Sequence, residues 1–427
     1  MNILFDFKKS SFYFDNPVSV IDCSSFKDVA QAFEKIEEAL LRGLYVAGFF
    51  SYELGYAFEE KFSSYQQNGF PLIRVGCYKK SQQYKDQLAA RGYAGETTGM
   101  NSKASRGYCT PLMRDNSANK LLLASLSKFE SHYFPLRKVV RLNDSSTPRF
   151  RNRSFTIKNV RFNISPEKYF DHINIIRSYL QSGDVYQITY CLKIIFDFHG
   201  NAFDLYKKLF DIQPVPYAAF IETDQYSIAS LSPELFLYKK GKSILSKPMK
   251  GTWQRGKTIF GDIAARRQFY HDEKNRAENV MIADLLRNDL GRIGNNIRMP
   301  RLYEITPYKT LFQMTSTVEA DVEPKISIYN LFKSLFPSGS VTGAPKIRAM
   351  EIIHKLEREP RNIYTGAIGY IKPNKDLFIN IPIRTVLINR ADGKGEMGIG
   401  GGIVWDSTAE GGWAEGILKA RFFTDSI

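Results

Sequence analysis

Residues 232–253 read SPELFLYKKGKSILSKPMKGTW, a pattern of two strands joined by a tight turn. Two strand-like runs flank the sequence KGK at 240–242, where glycine permits the positive φ of a tight hairpin. Because Glu234 and Lys250 are equally far from position 242, the pattern predicts that they are near cross-strand neighbours. A carboxylate beside an amine at a strand end is either a simple ion pair or a catalytic acid with its nucleophile. This stretch alone favours the ion pair.

Outside this hairpin, patterns of regular structure become dense after residue 160. Strands are predicted in GLYVAGFFSYEL, VYQITYCLKIIF, YAAFIET, SIASLSP, GAIGYIK, LFINIPIRTVLIN and GEMGIGGGIVW, and helices at 26–42, 165–183, 273–290, 347–358 and 413–422. Runs of strands with helices between some of them are typical of α+β proteins. The predicted fold class is therefore α+β with large antiparallel β-sheets.

The overall composition excludes several classes of protein. The chain has 427 residues, of which 43% are hydrophobic and 24% charged, an ordinary globular balance that excludes wholesale disorder. No apolar run approaches the roughly 20 residues that span a bilayer, and the N-terminal apolar stretch is too short for a signal peptide. The four cysteines show no CxxC spacing, which argues against a zinc site or a disulfide framework and predicts a cytoplasmic protein.

The net charge of +15 leaves the class of partner open. Such an excess is compatible with nucleic acid, an anionic membrane surface, acidic small molecules or solubility alone. Residues 137–158 carry seven basic side chains against Asp144 alone, but no nucleic-acid-binding motif accompanies them. A solvated linker or an exposed hairpin is the favoured interpretation of this run. The polar, Gly- and Ser-rich residues 79–119 are interpreted as a surface excursion.

Two glutamates recur at helical positions shared with apolar residues. Glu278 shares the i, i+3, i+4, i+7 pattern with Met281, Ile282 and Leu285, which predicts that it projects from an apolar face. Glu415 is likewise predicted to face the core, together with Leu418 and Phe422. A buried carboxylate must be protonated, paired or bound to a cation, whereas helix-dipole stabilisation and an i,i+4 pair with Lys419 are simpler alternatives.

Three further features indicate an anion site. In FPSGSVTGAPKIRAMEII, residues 336–353, a Gly/Ser/Thr loop enters a helix whose free N–H groups suit an anion. The loop lacks the Gly-Lys-Ser/Thr ending of a nucleotide-phosphate loop, so a carboxylate is the better candidate. The glycines 400–402 allow close approach of a ligand, and Arg384 in an apolar strand requires a carboxylate partner.

Taken in order, these motifs resemble the chorismate-utilising enzymes, and within them the aminodeoxychorismate synthase component I family. The resemblance rests on GDVYQITY, SPE, PMKGT, AENVMIADLLRNDLGRI, PSGSVTGAPKIRAMEII, YTGAIGY, IRT and GGGIVWDS, which cover about residues 160–425. It reaches the N-terminal part only through GFFSYELGYAFE. The resemblance implies a sandwich-like core of large sheets with helices outside, an N-terminal subdomain at 1–158 and a chorismate-binding catalytic domain at 159–427.

Two positions discriminate within this family. Lys250 in PMKGT is similar to the nucleophile of aminodeoxychorismate synthases, whereas anthranilate synthases typically have alanine there. Gln187 stands where isochorismate-forming enzymes have the lysine that activates water. The resemblance therefore implies amination of chorismate at C4 with retention of the enolpyruvyl group, on the route to 4-aminobenzoate and folate. Anthranilate synthase component I is the alternative within the family, and a non-enzymatic basic protein that binds nucleic acid or membrane is the alternative outside it.

The same resemblance implies roles for individual residues. Lys250 would be the nucleophile and Glu234 the proton donor, with Mg²⁺ held by Glu278 and Glu415. Substrate contacts are implied for Arg384, Tyr364, Thr342, Gly400, Gly401, Gly402, Lys419 and Gln187. The family pattern is broken at Gln313, where many relatives have histidine, at Leu235, where arginine is common, and at Asn275 and Gly412, which replace acidic residues near the metal.

No glutamine amidotransferase signature surrounds any of the four cysteines. The chain is therefore expected to use chorismate with free ammonium or with ammonia from a separate glutamine amidotransferase subunit. Neither a nucleic acid nor a membrane is expected as a partner. The absence of an LLES-like segment argues against feedback inhibition by tryptophan.

Overall fold

The computed structural model describes residues 1–7, 10–65, 69–83, 155–308 and 311–426. The excursion predicted at residues 79–119 lies outside these ranges from position 84 onward. The basic run at residues 137–158 also lies outside them, except for residues 155–158, which begin a strand. No helix in these ranges is both long and apolar enough to cross a membrane.

The strands of the first part of the chain are β1 (Asn2–Phe7), β2 (Ser10–Phe14), β3 (Ser19–Cys23), β4 (Tyr45–Phe50), β5 (Ile73–Tyr78), β6 (Gln82–Gln83), β7 (Phe155–Phe162), β8 (Gln187–Gly200), β9 (Tyr217–Glu222) and β10 (Tyr226–Ser232). Those of the second part are β11 (Leu235–Lys240), β12 (Ser243–Lys247), β13 (Met249–Gln254), β14 (Gly294–Pro307), β15 (Leu311–Val322), β16 (Gly343–Ala344), β17 (Ala367–Ile371), β18 (Leu377–Asn380), β19 (Thr385–Asn389) and β20 (Lys394–Ile403).

The helices are α1 (Val29–Leu41), α2 (Pro166–Gln181), α3 (Ala202–Ile212), α4 (Ile259–His271), α5 (Glu273–Gly291), α6 (Ile328–Leu335), α7 (Lys346–Leu356) and α8 (Ala409–Thr424). Side-chain caps fix several of their starts. Asp272 accepts a hydrogen bond from the backbone N–H of Asn275 at the start of α5, and Thr408 accepts one from Gly411 at the start of α8. Such caps satisfy N–H groups that have no partner within the helix.

Within the described residues, the strands form two sheets of ten strands each. One sheet runs in the order β16-β8-β20-β19-β10-β9-β1-β2-β6, with β7 beside β8, and the other in the order β13-β15-β12-β11-β18-β17-β4-β5-β3, with β14 beside β15. Every strand pair in the described residues is antiparallel. The α+β class with large antiparallel sheets is therefore confirmed.

Strands from the N-terminal part of the chain belong to both sheets. Strand β1 pairs with β9 in one sheet, and β4 pairs with β17 in the other. Residues on both sides of position 158 thus share the same two sheets. The division into an N-terminal subdomain and a catalytic domain at this position stays a prediction.

Between the sheets lies an apolar cluster rich in aromatic rings. It joins Phe5 and Tyr217 of the first sheet to Phe49 and Phe378 of the second. Phe5 is fully buried, and truncating such a side chain to alanine costs about 3–5 kcal/mol. Two other clusters pack helices against the outer faces, so that the core is a sandwich with helices outside.

Two predicted strands are shorter than the apolar pattern implies. The strand predicted in GLYVAGFFSYEL ends at Phe50, and Tyr52–Phe58 forms a 3₁₀-helix. The long strand predicted in LFINIPIRTVLIN is two strands, because the chain breaks between Asn380 and Thr385. Arg384 lies in this break with a φ of 52°, a left-handed conformation outside the β region of regular strands.

Candidate active site

The hairpin predicted in residues 232–253 is present, but it is shorter than expected. Strands β11 and β12 pair only as far as Leu235 opposite Lys247, with a bulge between that pair and the turn. Lys250 lies on β13, which pairs with β15 instead of β11. The prediction that Glu234 and Lys250 are cross-strand neighbours is therefore wrong, because the chain leaves the hairpin after Lys247 and starts a new strand.

Glu234 nevertheless points into the space beside Lys250. Its side chain is buried, and its Oε1 accepts hydrogen bonds from Ser340 Oγ at 2.6 Å and from the backbone N–H of Met249 at 3.4 Å. Burial raises the pKa of Glu234, and the Ser340 hydrogen bond and the charge of Lys250 oppose this rise. A carboxyl group with a raised pKa can hold a proton that it later donates.

The Lys250 amine lies close to the glycine-rich strand β20. A Cβ atom added to Gly402 would lie 3.2 Å from Lys250 Nζ, which is tight contact. Within the described residues, no ion pair or hydrogen bond holds this amine. Burial lowers the pKa of Lys250, while Glu278 and Glu234 act to raise it. A lowered pKa increases the neutral fraction of the amine, the form that is nucleophilic.

Several buried polar atoms of the residues implied in substrate binding, or near them, have no hydrogen-bond partner in the described part of the chain. They are both amide atoms of Gln187, Oε1 of Gln313 and Nη1 of Arg384. Gln187 Nε2 would lie 3.1 Å from a Cβ atom on Gly402, which places it beside Lys250. An unsatisfied buried polar group costs about 1–3 kcal/mol. Several such groups together therefore indicate that a polar ligand binds here.

Arg384 was predicted to lie within a strand, and the structure corrects this. Its left-handed backbone ends the regular pairing before β19. The side chain is in electrostatic contact with Tyr308 and Tyr364, and burial lowers its pKa. Tyr308 interacts with both Arg384 and Glu234. The arginine predicted to bind a carboxylate is thus linked to the acid through Tyr308.

The predicted glycine cradle is the part of β20 that pairs with β8. Gly400 pairs with Cys191, Gly401 with Tyr190 and Gly402 with Thr189. A Cβ atom on Gly400 would lie 2.4 Å from the carbonyl oxygen of Tyr190, so this position requires glycine. Nearby, a Cβ atom on Gly398 would lie 2.2 Å from the ring of Tyr364. The glycine strand therefore lies directly on the predicted substrate-binding tyrosine.

Lys419 is held at the edge of this cradle. Its Nζ donates to the carbonyl oxygen of Gly400 at 2.8 Å and forms an ion pair with Glu415 at 2.7 Å. The i,i+4 pair considered in the sequence is therefore present. Burial acts to raise the pKa of Glu415, but attraction and a hydrogen bond from Lys419 outweigh it and lower that pKa.

The two glutamates do not project from the apolar faces that their spacing predicts. On α5 the buried positions are Asn279, Ile282, Ala283, Leu286, Asp289 and Leu290, whereas Glu278 is only half-buried. On α8 the Glu415 side chain is 49% exposed and Leu418 is 55% exposed. The apolar spacing was misleading because Met281 and Leu285 are only partly buried and Leu418 is exposed. Both carboxylates instead share the electrostatic field of Lys250 and Lys419.

Glu278 and Glu415 form a two-carboxylate donor set. Burial raises the pKa of Glu278, and repulsion from Glu415 adds to the rise, while Lys250 and Lys274 oppose it. In the described residues there is no group of three or more His, Cys, Asp or Glu side chains that could hold a metal ion. Mg²⁺ commonly uses one or two protein carboxylates and takes its other oxygens from substrate and water. The two glutamates fit that requirement.

Thr342 belongs to the loop that precedes α7. It is fully buried, and its Oγ1 donates to the carbonyl oxygen of Ser338 at 2.9 Å. Its own carbonyl accepts from the N–H of Thr189, next to the glycine strand. The hydroxyl proton of Thr342 is thus used within the loop. Strand β16 continues this contact, with Ala344 paired to Gln187.

Sequence patterns missed two groups that contact Glu234 or interact with it, Ser340 and Tyr308. The segment PSGSVTGAP was interpreted as a backbone anion site, and its serine hydroxyls were not assigned a role. Their significance follows from packing, since Ser340 is 106 positions from Glu234 in the sequence.

The model of the chorismate binding enzyme family matches residues 7–425. The chain is 38% identical over 247 residues to aminodeoxychorismate synthase component 1 of Bacillus subtilis, covering 57% of this chain and 52% of that protein. It is 34% identical over 272 residues to anthranilate synthase component 1 of Aquifex aeolicus, covering 63% and 55%. These matches therefore span about half the length of the curated relatives.

Anthranilate synthase component I from Streptococcus pneumoniae shares the fold, with a TM-score of 0.70 over 100% of this chain and 90% of that chain at 23% identity. The family match includes all the residues assembled around Lys250, from Gln187 to Lys419. By its sequence over nearly its whole length, the chain belongs to the family of chorismate binding enzymes.

Proposed function

We propose that the protein aminates chorismate at C4 with ammonia to give 4-amino-4-deoxychorismate. The observation that carries the proposal is the position of Lys250, an amine with a lowered pKa and no ion pair in the described residues, beside the buried acid Glu234. Gln187, whose amide atoms are unsatisfied, lies beside it, and buried polar atoms of Gln313 and Arg384 also have no partner in the described residues. Similarity to aminodeoxychorismate synthase component 1 supports the same assignment.

In the proposed reaction, neutral Lys250 Nζ forms a bond to C2 of chorismate and loses a proton. The ring double bonds shift, and the C4–O bond breaks as the hydroxyl takes the proton of Glu234 and leaves as water. Ammonia then bonds to C4 and its surplus proton restores the acid form of Glu234, while the C2–N bond breaks as the lysine nitrogen regains the proton lost earlier, and Lys250 is released as the amine. Proton donation of this kind contributes typically about 10²- to 10⁴-fold to the rate.

A second set of residues is assigned to binding of the substrate. Arg384 and Tyr364, with the backbone of Gly400–Gly402, would hold the enolpyruvyl carboxylate, and Gln187 would contact the ring. Magnesium, when bound by Glu278 and Glu415, would supply positive charge for the ring carboxylate. Thr342 and Lys419 contribute by holding the loop and the glycine strand that border the substrate.

Anthranilate synthesis is the second candidate, because anthranilate synthase component 1 of Aquifex aeolicus is also a relative. Lys250 favours amination at C4, since a nucleophile that adds to C2 leaves C4 as the carbon that ammonia attacks. Ammonia is proposed to come from free ammonium or from a separate glutamine amidotransferase subunit, in line with the "component 1" in the relative's name.

The test is to supply the purified chain with chorismate, Mg²⁺ and ammonium and to identify the product by mass spectrometry. The expected product retains the enolpyruvyl group, carries an amino group in place of the C4 hydroxyl, and is converted to 4-aminobenzoate by the appropriate lyase. Anthranilate with pyruvate as the products would contradict the proposal.

Arg384→Met is expected to raise the KM for chorismate about 10- to 100-fold, because hydrogen bonds to charged groups contribute about 1.5–3 kcal/mol. The effect on kcat should be smaller, since the carboxylate lies away from the reacting atoms C2 and C4. Steady-state kinetics measures both constants. Arg390→Met removes a half-exposed arginine and serves as the control, with no expected change. A fall in kcat at constant KM would refute the binding role.

A further inference from the structure

A chain of buried hydroxyl groups lies behind Glu234. Ser338 is 3% exposed, Ser340 is 4% exposed and Glu234 is 3% exposed. The two serine Oγ atoms are 3.1 Å apart, and Ser340 Oγ donates to Glu234 Oε1 at 2.6 Å. Because all three side chains are almost fully buried, their mutual hydrogen bonds decide how the acid is oriented.

The direction of the hydrogen bonds among Ser338, Ser340 and Glu234 is fixed by the number of protons available. A serine hydroxyl has one proton to donate. Because Ser340 gives its proton to Glu234, it must accept from Ser338 in their mutual contact. The backbone N–H of Met249 donates to the same Oε1 atom at 3.4 Å. Oε1 therefore accepts twice, and within the described residues no hydrogen bond engages Oε2.

The loop that carries the serines is itself held from two sides. Thr342 Oγ1 donates to the carbonyl oxygen of Ser338 at 2.9 Å. Arg361 donates to the carbonyl oxygen of Val341 at 2.8 Å, and its guanidinium is fixed by a buried ion pair with Glu357 at 2.7 Å. Ser340 is thus presented to Glu234 by a rigid loop.

We propose that Ser340 is a positioning residue that makes Oε1 the acceptor oxygen of Glu234 and thereby places the transferable proton on Oε2. This inference rests on the proposed function, in which Glu234 is the proton donor. An acid oriented in this way presents its proton to the leaving hydroxyl without having to rotate. Ser340 acts through Glu234 and needs no contact with the substrate.

Other charged or titratable groups also face Glu234. Lys250 and Lys419 stabilise its charged form, and Tyr308 lies close enough to interact with it. Burial raises the pKa of Glu234, and the Ser340 hydrogen bond is the largest of the effects that oppose this rise. Removing the hydroxyl should therefore raise the pKa further and keep Glu234 protonated to higher pH.

Ser340→Ala is expected to lower kcat about 10- to 100-fold, the range expected for a hydrogen bond to a charged group. The KM for chorismate should change less than about threefold. In the pH profile of kcat, the limb that reports the titration of Glu234 is identified by its absence in Glu234→Gln. This limb should move to higher pH in Ser340→Ala. Ser340→Thr keeps the hydroxyl and should restore most of kcat. Ser230→Ala, which removes a buried hydroxyl bonded to Thr385, is the control for folding, measured by thermal unfolding.

A double-mutant cycle separates action through Glu234 from an independent role. Ser340→Ala should lower kcat when it is introduced into the wild-type protein. When it is introduced into the Glu234→Gln variant, it should change kcat by less than about twofold, because the effects of residues that act as a unit are not additive. Equal slowing in both backgrounds, or a raised KM with an unmoved pH profile, would overturn the proposal. The product formed by the wild-type protein in the same experiment tests the proposed function separately.

Discussion

Lys250→Ala is expected to abolish the covalent adduct with chorismate and to lower turnover by about 10³-fold or more, as for other enzymes that lose their nucleophile. The methyl group of alanine cannot form a bond to C2. Glu234, Arg384 and the glycine strand would remain in place, so binding of chorismate should survive. The expected loss is therefore in kcat.

The protonation of Lys250 gives this prediction a dependence on pH. Burial lowers the pKa of its ammonium group, so that the neutral amine forms at a lower pH than for an exposed lysine. Because the neutral form reacts, adduct formation should increase as the pH rises through that lowered pKa. Glu278 and Glu234 act to raise the pKa, so removing the Glu278 carboxylate should move the increase to lower pH.

The adduct is measured by mass spectrometry of the intact protein, quenched with acid after mixing with chorismate and Mg²⁺ in the absence of ammonium. Lys247→Ala is the matched control, since Lys247 lies nearby on β12 but forms an ion pair with Glu304 at 2.8 Å. It should form the adduct normally. An adduct that persists in Lys250→Ala, or undiminished turnover, would rule out the nucleophile role.

The proximity of Lys250 and Glu234 could be predicted from the sequence, although the expected geometry was wrong. The turn at Gly241 is local information, and it correctly brought the two ends of the hairpin together. The bulge in β11 and the transfer of the chain to β15 after Lys247 depend on which strands are available elsewhere in the sheet. A hairpin pattern contains no information on a third strand.

The remaining parts of the site depend on contacts between distant segments. Ser340 reaches Glu234 from a loop far along the chain, and the left-handed backbone of Arg384 breaks what reads as a continuous apolar strand. The helical spacing of Glu278 and Glu415 predicted burial, but their helices pack with other faces inward. The metal-binding role that family resemblance implies for both glutamates stays a prediction.

Glu278→Gln is expected to weaken Mg²⁺ binding about 100-fold. Loss of a residue that only hydrogen-bonds a metal ligand typically weakens metal binding about 10- to 100-fold, and loss of a direct ligand should reach the upper end of that range. The amide is neutral and cannot replace a carboxylate for a hard cation. Isothermal titration of Mg²⁺ into protein saturated with chorismate, in the Lys250→Ala background, measures the affinity without turnover. Glu415→Gln should have a similar effect and should also release Lys419 from its ion pair.

Glu273→Gln is the matched control, because Glu273 lies in the first turn of the same helix α5. It carries the same charge as Glu278 but is exposed, so its loss tests whether general electrostatic attraction suffices to hold the ion. Equal weakening in Glu273→Gln and Glu278→Gln would indicate attraction by the surface alone. Loss confined to Glu278→Gln and Glu415→Gln would identify the two carboxylates as the ligands, because both interact with Lys250 at the site whereas Glu273 is exposed.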